Sequence, residues 1–363
     1  MIFSFYMKTT LFSLILLTAL WGATPMANVR AGDKDWDNCN ASGPEQVIQG
    51  CTAIIQASQE SNQKLAQAFY NRGIAYKHQN KLNNAVGDFT QALRLNPDFA
   101  DVYYQRALVY GHRREYDQAI QDYNQLIRLN SNSARGFYGR GWVYVRKGDY
   151  DHAKPDLDQA LLLNPQYVDA LCQRGSWYVH QDKLDQALED FSQALRIDPT
   201  YADAFILRGN AYSRNGQYEI AIQDYDKALK LNPLSADGYY NRGLAYELEG
   251  RFSIAIPDFD QALRLKPGDP DAYMGRGWAY AKTGDYDQAI KDYDQTLQIN
   301  PTDQRALSNR RAAYFRKGEY THALADSWRL KRLKLGLPGI AIQLVLLLFS
   351  ISVLVLVLRK RLK

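Results

Sequence analysis

Small and apolar residues recur with a period of 34 positions between residues 66 and 337. The first half of each unit places an aromatic residue or Leu, then Gly, then Tyr on one face of a helix. The second half places Ala, an aromatic residue and usually Ala on the inner face of a second helix, and Pro closes most units. This period predicts stacked helix pairs rather than one globular core. The eight predicted units are 66–99, 100–133, 134–167, 168–201, 202–235, 236–269, 270–303 and 304–337.

A charged residue interrupts the apolar stripe of every first helix. Arg stands at the seventh place of each unit, and Asp follows it by sixteen residues, on the second helix. A buried guanidinium is costly unless a carboxylate pairs with it, so the spacing predicts a ladder of Arg–Asp pairs within one unit or between neighbours. Because the pattern is uniform, we interpret it as structural rather than catalytic. The predicted ladder comprises Arg72 and Asp88, Arg106 and Asp122, Arg140 and Asp156, Arg174 and Asp190, Arg208 and Asp224, Arg242 and Asp258, Arg276 and Asp292, and Arg310 and Asp326.

The repeat resembles the tetratricopeptide repeat. The resemblance rests on strings such as YNRGLAYELEG at 240–250 and KTGDYDQA at 282–289, and it covers residues 66–337. It implies an all-α fold, a right-handed tetratricopeptide repeat solenoid of eight helix-turn-helix repeats. Residues 45–57 look like a lone second helix, so we expect residues 32–65 to form an N-terminal cap with a half-repeat helix.

In tetratricopeptide repeat proteins the first helices line a concave groove that holds a partner. Carried over place by place, the resemblance implies a groove rich in Tyr and Trp and edged with Asp. Aromatic side chains carry much of the binding energy at interfaces, although each ring could instead pack against its neighbouring unit. The expected groove residues are Tyr70, Tyr104, Tyr138, Trp142, Asp203, Asp237, Tyr240, Asp271 and Trp278.

The sequence contains no motif for catalysis. It has no HExxH, GxxxxGK[ST] or GxSxG string and no paired CxxC. His78, His112 and His180 share one place in their units, but stacked units stand about 10 Å apart, which is too far to share a metal. We therefore expect no enzyme and no cofactor, but a protein–protein interaction scaffold that binds an extended peptide or protein. The alternative is a glycan-binding accessory of envelope polysaccharide export or assembly.

Charge is divided unequally between the middle of the chain and its ends. The formal net charge is +5, but residues 1–31 and 329–363 contain basic residues and no acid. Residues 32–328 are left with 34 basic and 39 acidic residues. Since neutralising phosphates requires a basic face, we expect no nucleic-acid partner.

Both ends are expected to serve export and anchoring. Residues 1–31 combine an early Lys, an apolar stretch and small residues before a cleavage point after Ala31, which predicts a signal peptide. Residues 338–358 are uncharged and long enough to cross a bilayer as a C-terminal transmembrane helix, and a basic tail follows at 359–363. Basic residues flank the span equally, so the signal peptide decides the orientation: a single-pass cell-membrane protein with its repeats on the extracytoplasmic side. Without a signal peptide, the chain would be tail-anchored with its repeats in the cytoplasm.

Two of the three cysteines precede the repeats. Cys39 and Cys51 are twelve residues apart, and Cys172 stands alone within the fourth unit. A Cys39–Cys51 disulfide suits an oxidising compartment, and two cysteines are too few for a tetrahedral metal site. The alternative is that both are unpaired, small apolar residues.

Overall fold

The computed structural model describes residues 32–336, which form eighteen α-helices and contain no β-strand. The described residues divide into two compact units, 32–170 and 171–336. The predicted signal peptide, the membrane span at 338–358 and the basic tail lie outside the described residues. Between residues 32 and 336, every helix is too short or too polar to cross a membrane.

The first unit contains a pair of capping helices and then three predicted repeats. The capping helices meet through a disulfide between Cys39 and Cys51. The first repeat begins earlier than its sequence pattern suggests, because its first helix starts at Asn62 and Ser61 accepts a hydrogen bond from the Lys64 amide. The helices of this unit are α1 Asp33–Cys39, α2 Pro44–Ala57, α3 Asn62–His78, α4 Leu82–Leu95, α5 Ala100–His112, α6 Tyr116–Leu129, α7 Ala134–Lys147 and α8 Tyr150–Leu163.

The helix α9, Val168–His180, contains the boundary between the two units. The second unit continues with α10 Leu184–Ile197, α11 Ala202–Arg214, α12 Tyr218–Leu231, α13 Ala236–Leu248, α14 Phe252–Leu265, α15 Pro270–Thr283, α16 Tyr286–Ile299, α17 Gln304–Lys317 and α18 Tyr320–Leu335. From α11 onward, each first helix packs against the second helix of its own repeat and against the second helix before it. The right-handed course of the whole stack stays a prediction.

A polar turn links each second helix to the next repeat. In the first unit, the Asn96 side-chain oxygen accepts a hydrogen bond from the Asp98 amide, 3.3 Å away. Such a turn satisfies backbone groups that the helix end leaves free, and the Pro that usually follows prevents the helix from continuing. The same bond, in which the amide of residue i+2 donates to the side-chain oxygen of residue i, recurs with the acceptors Asn130, Asn164, Asp198, Asn232 and Asn300.

Glycine lets the two helices of a repeat approach each other closely. A Cβ atom at Gly73 would lie only 2.6 Å from the Phe89 ring, which is fully buried. In the second repeat Ala107 replaces this glycine, and the buried Tyr123 ring lies against Gly139 of the following repeat instead, where a Cβ atom would come within 2.4 Å. The second repeat therefore keeps a close contact between its buried ring and a glycine, although that glycine belongs to the next repeat.

Candidate functional site

Each ladder arginine forms a bidentate ion pair with the aspartate of its own repeat. Arg242 donates from Nε and Nη2 to the two oxygens of Asp258, at 2.8 and 2.6 Å. All eight aspartates are buried, and the hydrogen bond to Asp258 raises the pKa of Arg242, so its guanidinium stays charged. The equivalent bonds join the other seven pairs of the ladder.

In seven of the ladder arginines the third guanidinium nitrogen is shown to reach the helix that precedes the repeat. Arg242 Nη1 donates to Asp226 at 2.6 Å, and Arg72 Nη1 donates to Thr52 on α2 at 3.0 Å. The capping helix α2 thus supplies the contact that a preceding second helix supplies elsewhere. The sequence left open whether the Arg–Asp pairs lie within one repeat or between neighbouring repeats. The structure places each pair within one repeat, and the same arginine also bonds to the preceding helix. The equivalent partners elsewhere are Thr90, Asn124, Ser192, Asp260 and Asp294.

In the first unit the expected groove aromatics are half-buried. The Tyr70 ring centroid lies 5.1 Å from that of Phe99, and the Tyr138 centroid lies 4.8 Å from that of Tyr167. The Tyr104 ring centroid lies 6.3 Å from that of Tyr123. These three rings therefore pack against other rings of the repeats, so only part of each would be available to a ligand.

A cavity of about 700 Å³ also lies in the first unit, between the capping helices and the first two repeats. Tyr70 and Ile74 line it, together with Lys77, whose Nζ donates to Gln105 Oε1 at 2.6 Å. Burial lowers the pKa of Lys77. Of the expected groove residues, only Tyr70 lines this cavity.

In the second unit a cavity of about 600 Å³ brings together three expected residues, Tyr240, Asp271 and Trp278. The Tyr240 and Trp278 rings are half-buried, whereas Asp271 is exposed at the edge. Asp203 and Asp237 are also exposed but do not line the cavity. The lining combines helices α13, α15 and α17, the first helices of three successive repeats, so an occupant would contact all three.

Glu247 also lines the second cavity, and the sequence analysis missed it. Its Oε2 atom is buried and has no hydrogen-bond partner among the described residues. Burial raises its pKa to about 7, against the smaller lowering effect of Lys282. The missed signal was an exception to the repeat, because Glu247 is the single acid at the twelfth place of a unit. The other residues at that place are Lys77, Gly111, Val145, Val179, Ser213, Ala281 and Phe315.

Replacing Glu247 with Gln should stabilise the protein at neutral and alkaline pH. The folded chain holds the carboxyl proton up to pH about 7, whereas an unfolded chain releases it near the ordinary value of 4.5. Wild-type stability therefore falls as pH rises through this interval, and Glu247→Gln removes that loss. We expect a gain of about 1–2 kcal/mol at pH 8, allowing for partial exposure, and none near pH 4. Urea unfolding at both pH values measures it, and an equal gain at both would contradict the assignment.

Metal binding finds no support in residues 32–336, where no three His, Cys, Asp or Glu side chains lie close enough together to hold an ion. Every ladder arginine already donates to an aspartate of its own repeat. The described residues do offer cavities lined by aromatic and charged side chains, an arrangement suited to binding, and the two described above contain the expected groove residues Tyr70, Tyr240, Asp271 and Trp278.

Two solved structures with TM-scores above 0.5 show the same kind of fold. A tetratricopeptide repeat protein from Parabacteroides merdae is 16% identical with a TM-score of 0.54, over 68% of this chain and 98% of that one. PilW, described as a widely conserved type IV pilus biogenesis factor, is 21% identical with a TM-score of 0.53, over 59% and 98%. MamA is 30% identical with a TM-score of 0.41, over 44% and 94%. No curated protein matches the chain.

Family models agree with the repeat pattern. Models described as tetratricopeptide repeat match residues 66–99, 89–121, 134–167, 206–270 and 270–303. A model described as TPR repeat matches residues 113–148 and 175–216. The eighth predicted unit, 304–337, lies beyond these ranges but forms the same helix pair, α17 and α18, with the same Arg310–Asp326 contact. The chain belongs to the tetratricopeptide repeat family.

Proposed function

We propose that this protein is a non-enzymatic scaffold that binds an extended peptide or protein along the first helices of its repeats. The observation that carries the proposal is the second-unit cavity, where Tyr240, Trp278 and the exposed Asp271 meet on three successive first helices. Aromatic rings beside polar groups at a partly open surface are typical of protein interfaces.

The glycan-binding alternative uses the same aromatic residues and is less favoured. Sugars stack on open ring faces, but Lys282 Nζ lies 4.4 Å from the centroid of Trp278 and covers part of that ring. In the first unit the Arg146 guanidinium lies 5.5 Å from the Trp142 ring centroid. Both rings thus carry a cation that a stacked sugar would have to displace, while a peptide could use the remaining edge and the nearby acids.

Trp278→Ala should weaken peptide binding by about tenfold or more, because a ring that lines a cavity carries a large share of the binding energy. The full-length chain would be presented with a random dodecapeptide library, and affinities of enriched peptides would be measured by fluorescence polarisation. Trp328→Ala is the matched control, since Trp328 is exposed and does not line the cavity. Unchanged affinity in a folded Trp278→Ala variant would exclude this cavity as the binding site. Binding of an envelope glycan array, with no peptide enriched, would favour the alternative.

We also propose that the repeats are exported and held at the extracytoplasmic face of the membrane. Support comes from the sequence of residues 1–31 and 338–358, and from the disulfide between Cys39 and Cys51, a bond that oxidising compartments favour. A tail-anchored arrangement with the repeats in the cytoplasm is the alternative. Protease treatment of spheroplasts with a sealed cytoplasmic membrane separates them, because only exported repeats would be cut.

A further inference from the structure

We propose that the second-unit cavity selects a partner segment carrying an arginine or lysine side chain, for which Glu247 supplies the counter-charge. This inference rests on the proposed function and adds the chemistry of the ligand to it. It begins from the break in the repeat pattern: the twelfth place carries a carboxylate in one unit, and there the side chain lines a cavity.

The carboxylate of Glu247 is not satisfied by the groups around it. Its buried Oε2 has no hydrogen-bond partner among residues 32–336. On α15, Lys282 lies over the Trp278 ring, and on α17, Arg305 is held by Asp271 and Asp303 at 3.2 and 3.6 Å. Lys282 attracts the Glu247 carboxylate but does not donate to Oε2, and Arg305, which itself lines the cavity, is already paired with two carboxylates. A buried carboxylate oxygen without a donor favours an incoming one.

The other groups that face Glu247 cannot supply a charge of opposite sign. Tyr240 lies on its own helix, α13, and its hydroxyl is an acid whose pKa burial raises to about 12. Tyr293, on α16, carries a buried hydroxyl that also has no hydrogen-bond partner among the described residues. Asp271 adds a second carboxylate at the edge. The lining therefore offers two acids, acceptor oxygens, two aromatic rings and one cation, Arg305, which is bonded to Asp271 and leaves Glu247 as the carboxylate without a partner for Oε2.

This combination suits a cationic side chain. The guanidinium of an arginine can donate two hydrogen bonds to a carboxylate and can also lie flat on a Tyr or Trp ring. The ammonium of a lysine can donate to the carboxylate. At about 600 Å³ the cavity exceeds one such side chain, so flanking residues of an extended segment would enter with it. An acidic segment is disfavoured because it would meet Glu247 and Asp271.

The test selects random dodecapeptides with the full-length chain and compares wild type with Glu247→Gln. The control is Glu219→Gln, which removes the same charge from an exposed position on α12 outside the cavity. We expect the wild type and the control to enrich one fixed Arg or Lys position, and Glu247→Gln to lose this preference. Affinity should fall about tenfold or more when the basic residue becomes citrulline or norleucine.

A pH series separates a binding role from a structural one. Because Glu247 takes up a proton below pH about 7, binding of the basic peptides to wild type should weaken from pH 8 to pH 5. Binding to Glu247→Gln should not follow pH in this way. Enriched peptides that need Trp278 but contain no fixed basic position would overturn the inference and leave the proposed function standing. If wild type enriches no peptide, both fail.

Discussion

Replacing Arg106 with methionine is expected to destabilise the first unit by about 3–5 kcal/mol, since Asp122 would lose its partner while remaining buried. Arg106 donates from Nε and Nη2 to Asp122 at 2.8 and 2.7 Å, and Asp122 is 4% exposed. Burial raises the pKa of Asp122 even with the arginine present. The variant should raise it further, so the destabilisation should shrink as pH is lowered from 8 towards 5. Urea unfolding of the full-length chain measures both effects.

Two matched variants distinguish the buried charge from the arginine's other contacts. Thr90→Val removes the 3.1 Å bond from Arg106 Nη1 and the 2.8 Å bond that the Thr90 hydroxyl donates to the Val86 carbonyl, and leaves the Arg106–Asp122 pair in place. It should cost about 1 kcal/mol. Adding Asp122→Leu to Arg106→Met removes the stranded carboxylate and should recover most of the loss, to within about 1–2 kcal/mol of wild type. If the Arg106→Met variant were as stable as the Thr90→Val variant, the ladder would not be stabilised in the way proposed.

Gly139→Ala is expected to destabilise the same unit by about 1–3 kcal/mol through overpacking. The new Cβ atom would lie 2.4 Å from the Tyr123 ring. That ring is fully buried in one core cluster with Ala107 and Leu126, so it has little room to move away. Thermal unfolding of the full-length chain should show a lower Tm.

Gly87→Ala is the control with the same substitution and the opposite expected sign. Gly87 is exposed within α4, and nothing lies within 4 Å of where its Cβ atom would be. Alanine there should stabilise the helix by about 0.5–1 kcal/mol. Equal Tm shifts in both variants would mean that helix propensity, rather than the Tyr123 contact, governs position 139.

The repeat period carried most of the information on the fold. Because every unit uses the same places, an inner-face Ala such as Ala85 and a ring such as Phe89 could be assigned to the core from sequence. Within the string KTGDYDQA, Asp285 caps helix α16, since its side chain accepts a hydrogen bond from the Gln288 amide. The helix α1 was not expected, because one short segment outside the repeats has no period to identify it.

The candidate site was harder to predict than the fold. A family pattern predicts places in the groove, and three of these residues, Tyr240, Asp271 and Trp278, line one cavity. The pattern does not say which neighbouring rings also pack inward. Glu247 was not predicted because the repeat pattern highlights residues that recur, whereas the twelfth place carries an acid in one unit alone. Its burial and its unpaired oxygen follow from the packing of three helices, and neither can be read from local sequence.

The third contact of the ladder arginines also sets how neighbouring repeats are coupled. In a linear repeat array, cooperativity comes from the terms between adjacent units. That contact is with neutral Thr or Asn in the first unit, but with Asp226, Asp260 and Asp294 before the last three repeats. Those three carboxylates are 39–41% exposed, and exposed ion pairs are screened by salt. Raising the ionic strength should therefore weaken the coupling between the last three repeats and the helices before them. The contacts through Thr52, Thr90 and Asn124 should be largely insensitive to salt.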